Sequence, residues 1–138
     1  MISLQSINPK ILVIGDLMID HYLWGSCKRI SPEAPVQVIN IDSETTSLGG
    51  AGNVINNLYT LGAEVDVISV IGECKTSKEL KDLLSNIKVK THYLISEKGR
   101  ITSKKSRIIA SHQQVVRYDL ESTSEINSKS QSSILNFF

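Results

Sequence analysis

The chain has 138 residues, with 15 Lys or Arg against 14 Asp or Glu, a formal charge of +1, 41% hydrophobic and 21% charged residues. That balance excludes wholesale disorder, which needs low hydrophobicity and high net charge, and the length is that of one domain or a piece of one. A charge near zero gives no bulk pull on nucleic acid or acidic membranes, and 5% aromatics make no stacking surface for single strands.

Met1–Lys10 lacks a basic segment followed by an apolar one, so no secretory signal is expected. Ile11-Leu12-Val13-Ile14 is a continuous apolar run before Gly15-Asp16, which predicts a strand buried on both faces of a parallel sheet. His21–Gly25 and Val36–Ile41 are two further strand-like runs. Between them Pro32 and Pro35 forbid both helix and central strand, so the segment reads as a loop or a projecting β-flap. Gly49-Gly50-Ala51-Gly52 breaks the chain. Val54, Ile55, Leu58 and Leu61 then recur at helical spacing, with Asn53, Asn56 and Asn57 opposite and Gly62 as the stop.

Val65–Ile71 predicts the next buried strand. Thr76 or Ser77 would cap a helix presenting Leu80, Leu83, Leu84 and Ile87 on one face. Val89–Ile95 reads as a strand. Lys104–Ala110 and Val115–Leu120 read as a hairpin around Ser111–Gln114, although the turn lacks Asn-Gly. Glu121–Ser133 is polar and serine-rich, a linker or a loop entering a helix. Ile134–Phe138 looks like the opening of a helix, which suggests a fragment of something longer. The alternation of strand and helix points to an α/β fold with a mostly parallel sheet flanked by helices.

No apolar run reaches the ~18 residues of a membrane helix. Cys27 and Cys74 lie far apart without CxxC spacing, which suits reduced thiols in a cytoplasmic protein, and His21, His92 and His112 are too scattered to suggest a metal site. Cys74 reads as a small buried hydrophobe. Asp16 and Asp20 follow the first strand, where ligands of open α/β sheets bind. Continued extension would put Asp16, Met18 and Asp20 on one face, as carboxylates for vicinal sugar hydroxyls or as a turn residue and a solvent-facing one. Gly49, Gly50 and Asn53 open the first helix. The pattern is neither GxGxxG nor a P-loop, so the alternatives are a close approach to a sugar hydroxyl or simply a tight loop. Lys105 and Arg107 share a strand face, either as a phosphate clamp or as edge cations that discourage aggregation. Arg29 is a further cation beside the prolines. Arg117 and Asp119 share a face and could pair with each other. Tyr22 and Trp24 also share one, suited to flap packing or a dimer contact.

Three segments in combination carry a resemblance. Val13–Asp20, Arg29-Ile30-Ser31-Pro32-Glu33-Ala34-Pro35-Val36 and Gly49-Gly50-Ala51-Gly52-Asn53-Val54 resemble the start of a ribokinase-like (PfkB) sugar kinase. The Arg29–Val36 segment, with Thr102–Ala110 and His112-Gln113-Gln114-Val115-Val116-Arg117, is similar to the branch acting on D-glycero-β-D-manno-heptose 7-phosphate. The resemblance implies a ribokinase-like fold with a projecting β-lid, strands about 21–41, and only the N-terminal half of the kinase domain in residues 1–138. It implies ATP and Mg2+ bound by a C-terminal half, with phosphorylation at O1 for ADP-heptose and lipopolysaccharide synthesis. It implies Asp20, Gly49, Gly50 and Asn53 around the sugar, Arg29 on the lid, and a homodimer through that lid. For a sugar that already carries a phosphate, the charges of Lys105 and Arg107, with Arg29 as a further cation, make them candidates to hold it, which is a physical inference and not part of the resemblance.

Three features depart from the family pattern. Gly52 replaces a common alanine, Glu73-Cys74-Lys75-Thr76 replaces an aspartate-rich turn, and no GxGD occurs, so the catalytic aspartate is expected outside this chain and the chain alone is expected to be inactive. The alternatives are another PfkB sugar kinase, fructokinase-like for example, or a non-catalytic fragment that only binds sugar or dimerises.

Overall fold

A computed structural model describes residues 8–138; residues 1–7, on which most of the reading of the N-terminus falls, lie outside the described residues. The first apolar run forms β1 (Lys10–Ile14). Only one of its faces is covered: Ile11 and Val13 pack against the core while Leu12 and Ile14 stay exposed. This differs from the expected two-sided burial: among the described residues the core covers only the Ile11–Val13 face of this strand.

The flap is larger than its apolar runs suggest. β2 (Leu17–Ile30) and β3 (Gln37–Gly50) are 14 residues each and pair antiparallel, closed by a turn in which Ser31 N–H donates to the Val36 carbonyl at 2.8 Å. The stretch from Asp42 to Ser47 has no apolar alternation, yet it is strand. It lies at the sheet edge with both faces exposed, so hydrogen bonds to β2 rather than burial hold it extended.

α1 (Ala51–Thr60) follows β3 without a linker. Ile55 is fully buried and Leu58 packs against the core, but Val54 and Leu61 are exposed, which narrows the expected apolar face. Gly62 takes φ +88° just after the helix, the left-handed stop its position predicts. β4 (Glu64–Gly72) and α2 (Lys75–Asn86) come next. Leu80 and Leu84 of α2 are buried, with Leu83 and Ile87 beside them.

The α2 cap is Cys74, not Thr76 or Ser77. Ser77 instead occupies the third helical position, where its Oγ accepts from Cys74 N–H at 3.4 Å and sits 3.3 Å from Cys74 Sγ. Cys74 is half-buried rather than a core hydrophobe. Burial pushes its thiol up, but hydrogen bonds from Ser77 and Thr102 outweigh that and bring its pKa down to about 7.

Strand pairing beyond α2 starts late. Lys90 makes one bridge to Asp66, and β5 (Leu94–Glu97) begins only after a turn at 91–93, so the expected strand at Val89–Ile95 is mostly loop. β6 (Ser103–Ala110) and β7 (Gln113–Leu120) form the expected hairpin. Its two-residue loop has Ser111 at φ 51° and His112 at φ 66°, the left-handed pair a type I′ turn needs, without Asn-Gly. α3 (Ser128–Leu135) is built from the serine-rich stretch. Asn127 caps it, and Glu97 accepts from Asn127 N–H and Ser130 Oγ, which holds the Glu97 carboxyl below its usual range. Ile134 and Leu135 therefore close a helix; they do not open one.

The strands form two sheets. One is parallel, in the order β1-β4-β5; the other, β3-β2-β6-β7, is mixed, with β2 and β6 parallel inside it. The core gathers Leu17 and Ile19 of β2, Ile55 of α1, Val65, Val67 and Ile71 of β4, and Leu80 and Leu84 of α2. The inner end of the lid is thus part of the core. Among the described residues no helix is long and apolar enough to cross a membrane.

Two measurements check this arrangement. Leu80→Ala, at a fully buried position, lowers stability by about 2–5 kcal/mol in urea unfolding. Iodoacetamide alkylation of Cys74 rises through a midpoint near pH 7, and Ser77→Ala moves that midpoint upward.

Candidate functional site

β2 alternates along its inner half. Leu17, Ile19 and His21 are buried, while Met18, Asp20 and Tyr22 point to the other face. Asp20 sits opposite Ser47 of β3 and Lys105 of β6. Its Oδ1 accepts from Arg107 Nη1 at 2.5 Å. The same guanidinium lies 5.2 Å over the Tyr22 ring, and Tyr22 stacks on Trp24 at 5.8 Å.

The glycines are dictated by this corner. A methyl on Gly49 would collide with the Asp20 carboxylate and stand 2.9 Å from Met18 Cγ. Gly50 has φ +57° and caps α1, and a Cβ there would meet the Asp16 carbonyl oxygen at 2.6 Å. That carbonyl accepts Ala51 N–H at 2.9 Å and ties the β1–β2 bend to the helix start. Asn53 is exposed on the first turn of α1, among N–H groups that have no intrahelical acceptor. Gly52 is packed against Leu48, whose Cβ would lie 3.0 Å from an added methyl, so glycine fits this spot more easily than alanine does.

Lys105 and Arg107 share the face that carries Asp20, as their spacing predicts. Lys105 Nζ donates to Asp119 Oδ2 and Glu121 Oε2, each at 3.0 Å. Arg117 pairs with Asp119 as expected, through Nε at 2.9 Å and Nη2 at 2.7 Å. Hydrogen bonds to Glu121, then to Asp119, push Lys105 up. Those from Arg117 and Lys105 hold the Asp119 carboxyl far below its ordinary range. The cluster is charge-balanced: Lys105, Arg107 and Arg117 face Asp20, Asp119 and Glu121.

Beside this cluster lies a cleft of about 380 Å³, lined by Asp16, Met18, Val70, Lys105, Glu121 and the segment Ser122–Ser124 among others. It opens past the carboxyl end of β1, where ligands of α/β sheets bind. Met18 and Lys105 connect it to the Asp20 corner. Asp16 lies in the bend before β2, not in the strand, so it lines the cleft without sharing the Asp20 face. Arg29 is not brought to the cleft. It is exposed near the outer end of β2, nine residues from Asp20, or roughly 30 Å at strand rise.

Sequence reasoning missed Glu121. Its signal was the continued alternation Arg117, Asp119, Glu121 past the end of β7. It also missed Ser122 and Ser124, whose loop positions follow from contacts with Arg100 and Ile101. Among the described residues, no group of three or more His, Cys, Asp or Glu gathers to hold a metal.

The difference between the two glycine environments is measurable. Gly49→Ala costs about 1–3 kcal/mol in urea unfolding, because the Asp20–Arg107 pair must move. Gly52→Ala costs less, because its nearest neighbour, Leu48 Cβ, stands at 3.0 Å and the better helix propensity of alanine offsets about 1 kcal/mol of the crowding.

The chain is 66% identical over 129 residues to the bifunctional protein HldE of Aliarcobacter butzleri, covering 94% of this chain and 27% of that protein. It is 59% identical over 133 residues to the bifunctional protein HldE of Sulfurimonas denitrificans, covering 96% of this chain and 28% of that protein. It therefore spans a little over a quarter of the length of these curated relatives. The crystal structure of fructokinase with bound ATP from Xylella fastidiosa superposes with a TM-score of 0.60 at 17% identity, over 83% of this chain and 34% of that one, which shows the shared fold. The pfkB family carbohydrate kinase pattern matches residues 8–137, and the chain belongs to that family.

Proposed function

We propose that this chain is the sugar-holding, N-terminal part of a kinase that transfers a phosphoryl group from ATP to O1 of D-glycero-β-D-manno-heptose 7-phosphate, on the route to ADP-heptose and lipopolysaccharide. The observation that carries the reading is the Asp20 carboxylate, held by Arg107 on the lid face beside Gly49 and Gly50, next to the cleft. The identity to proteins named HldE over nearly all of this chain supports the choice of substrate.

Each residue has a distinct task in this reading. Asp20 accepts hydrogen bonds from two vicinal hydroxyls and fixes the ring. Arg107 keeps the carboxylate oriented. Gly49 and Gly50 let the sugar approach the backbone, and Asn53 adds a side-chain amide at the helix start. Lys105 and Arg107 face the 7-phosphate. Arg29, out on the lid, acts only if a second lid brings it over the sugar. The lid's exposed Ile30, Val36, Val115 and Val116 favour a homodimer through that sheet.

Positioning supplies much of the catalysis in phosphoryl transfer. We place the nucleotide, Mg2+ and the catalytic aspartate on the C-terminal part of a cytoplasmic parent. ATP supplies the transferred phosphoryl group.

One observation favours a second reading. Every cation of the cluster is already paired, which suits an unphosphorylated sugar and another pfkB sugar kinase, such as a fructokinase. Steady-state kinetics of the full-length parent separates the two. Heptose 7-phosphate is expected to be turned over far better than heptose, Asp20→Asn to lower kcat/KM by roughly 10–100-fold, and the isolated 138-residue chain to show no ATP-dependent turnover. Equal use of both sugars would overturn the 7-phosphate assignment.

A further inference from the structure

Lys105 lines the cleft as a cation whose charge is already taken. Its ammonium has three donors, and two of them are on Asp119 and Glu121. The two carboxylates are not equivalent. Asp119 is held from behind by two bonds to Arg117 and does not line the cleft. Glu121 does line it, and among the described residues its carboxylate has Lys105 as its hydrogen-bond partner.

The backbone around Glu121 is pinned. Ser122 N–H donates to the Ile101 carbonyl at 3.3 Å, and Ile101 N–H donates to Ser122 Oγ at 2.9 Å. The Ser124 carbonyl accepts from both Arg100 Nη atoms, at 3.0 and 2.9 Å. The Glu121 side chain can swing about its own torsions without disturbing these bonds.

A phosphate within hydrogen-bond reach of Lys105 would stand beside the Glu121 carboxylate, and two like charges that close oppose each other. A neutral hydroxyl meets no such opposition. Swinging Glu121 away removes the conflict and frees a donor, while Asp119 stays locked on Arg117 and keeps the ammonium in place.

We propose that Glu121 is a counter-ion gate on Lys105: its carboxylate occupies the ammonium while the cleft is empty and yields that place to the phosphate of a sugar phosphate. Glu121 is then a positioning residue that acts through Lys105. The identity of the guest rests on the function proposed above; the gate itself does not.

The test uses the full-length parent protein and inorganic phosphate as the probe, titrated calorimetrically. Glu121→Gln removes the charge at nearly constant shape, and Glu121→Ala serves as the second variant. Both are expected to bind phosphate roughly two- to fivefold more tightly than the native protein, the worth of one partly exposed ion pair. In the kinetics, KM for heptose 7-phosphate falls by a similar factor with kcat little changed, and KM for heptose does not move. Adding Lys105→Ala abolishes the gain. Weaker or unchanged phosphate binding in both Glu121 variants, or a gain that survives without Lys105, overturns the gate. Should the native parent fail to phosphorylate heptose 7-phosphate, the proposed function falls, while the phosphate titration still decides the gate.

Discussion

The structure depends on the two-residue period of β2. On one face Leu17 and Ile19 enter the core between β4 and the two helices, and His21 follows them. On the other face stand Met18, which lines the cleft, Asp20 and Tyr22. A single-residue slip would exchange the two sets, placing Asp20 among leucines and isoleucines and Ile19 in the cleft. Hydrophobic burial on one face therefore sets the aim of the carboxylate on the other. His21 adds a polar clasp under the sheet, with Nδ1 3.1 Å from Ser106 Oγ and Nε2 2.8 Å from Glu44 Oε2, so three strands of the lid are held in register by one side chain.

The glycines of the corner follow from the same strand. Met18 and Asp20 take up the space where Gly49 and Gly50 would carry side chains, and the Asp16 carbonyl reaches the first N–H of α1. The sequence Gly-Gly is thus a packing solution to a carboxylate brought against a helix start. The family membership of the chain and the steric reason for its glycines agree, but they are independent: one comes from likeness, the other from the space between atoms.

The cations of β6 show how far a spacing rule reaches. Lys105 and Arg107 were expected on one face, and they are there. Their partners were not legible. Asp20 is 87 residues from Arg107, and Glu121 is 16 from Lys105, so only the parallel pairing of β2 with β6 and the hairpin of β6 with β7 assemble the charge-balanced cluster. Two isolated cations suggest a phosphate clamp; the same cations with three carboxylates form a charge-balanced cluster beside the cleft.

The local pattern of residues determined the apolar strand at Ile11–Ile14, the helix at Leu80–Leu84, the Gly62 stop and the hairpin at 104–120, because each depends on neighbours within a few positions. It also carried the likeness to sugar kinases, through three short segments whose combination is specific. Where an element is held by a distant partner, the pattern was silent or misleading. Asp42–Ser47 is strand because β2 hydrogen-bonds to it, and the serine-rich 128–135 is helix because Asn127 and Glu97 satisfy its first turn. The position of Arg29 near the lid tip, far from Asp20 within the chain, likewise follows from the unbroken length of β2 and was not legible in the pattern. Tertiary structure alone decided which charges meet, because electrostatic pairing depends on distance in space, and residues tens of positions apart reach that distance only through the sheet.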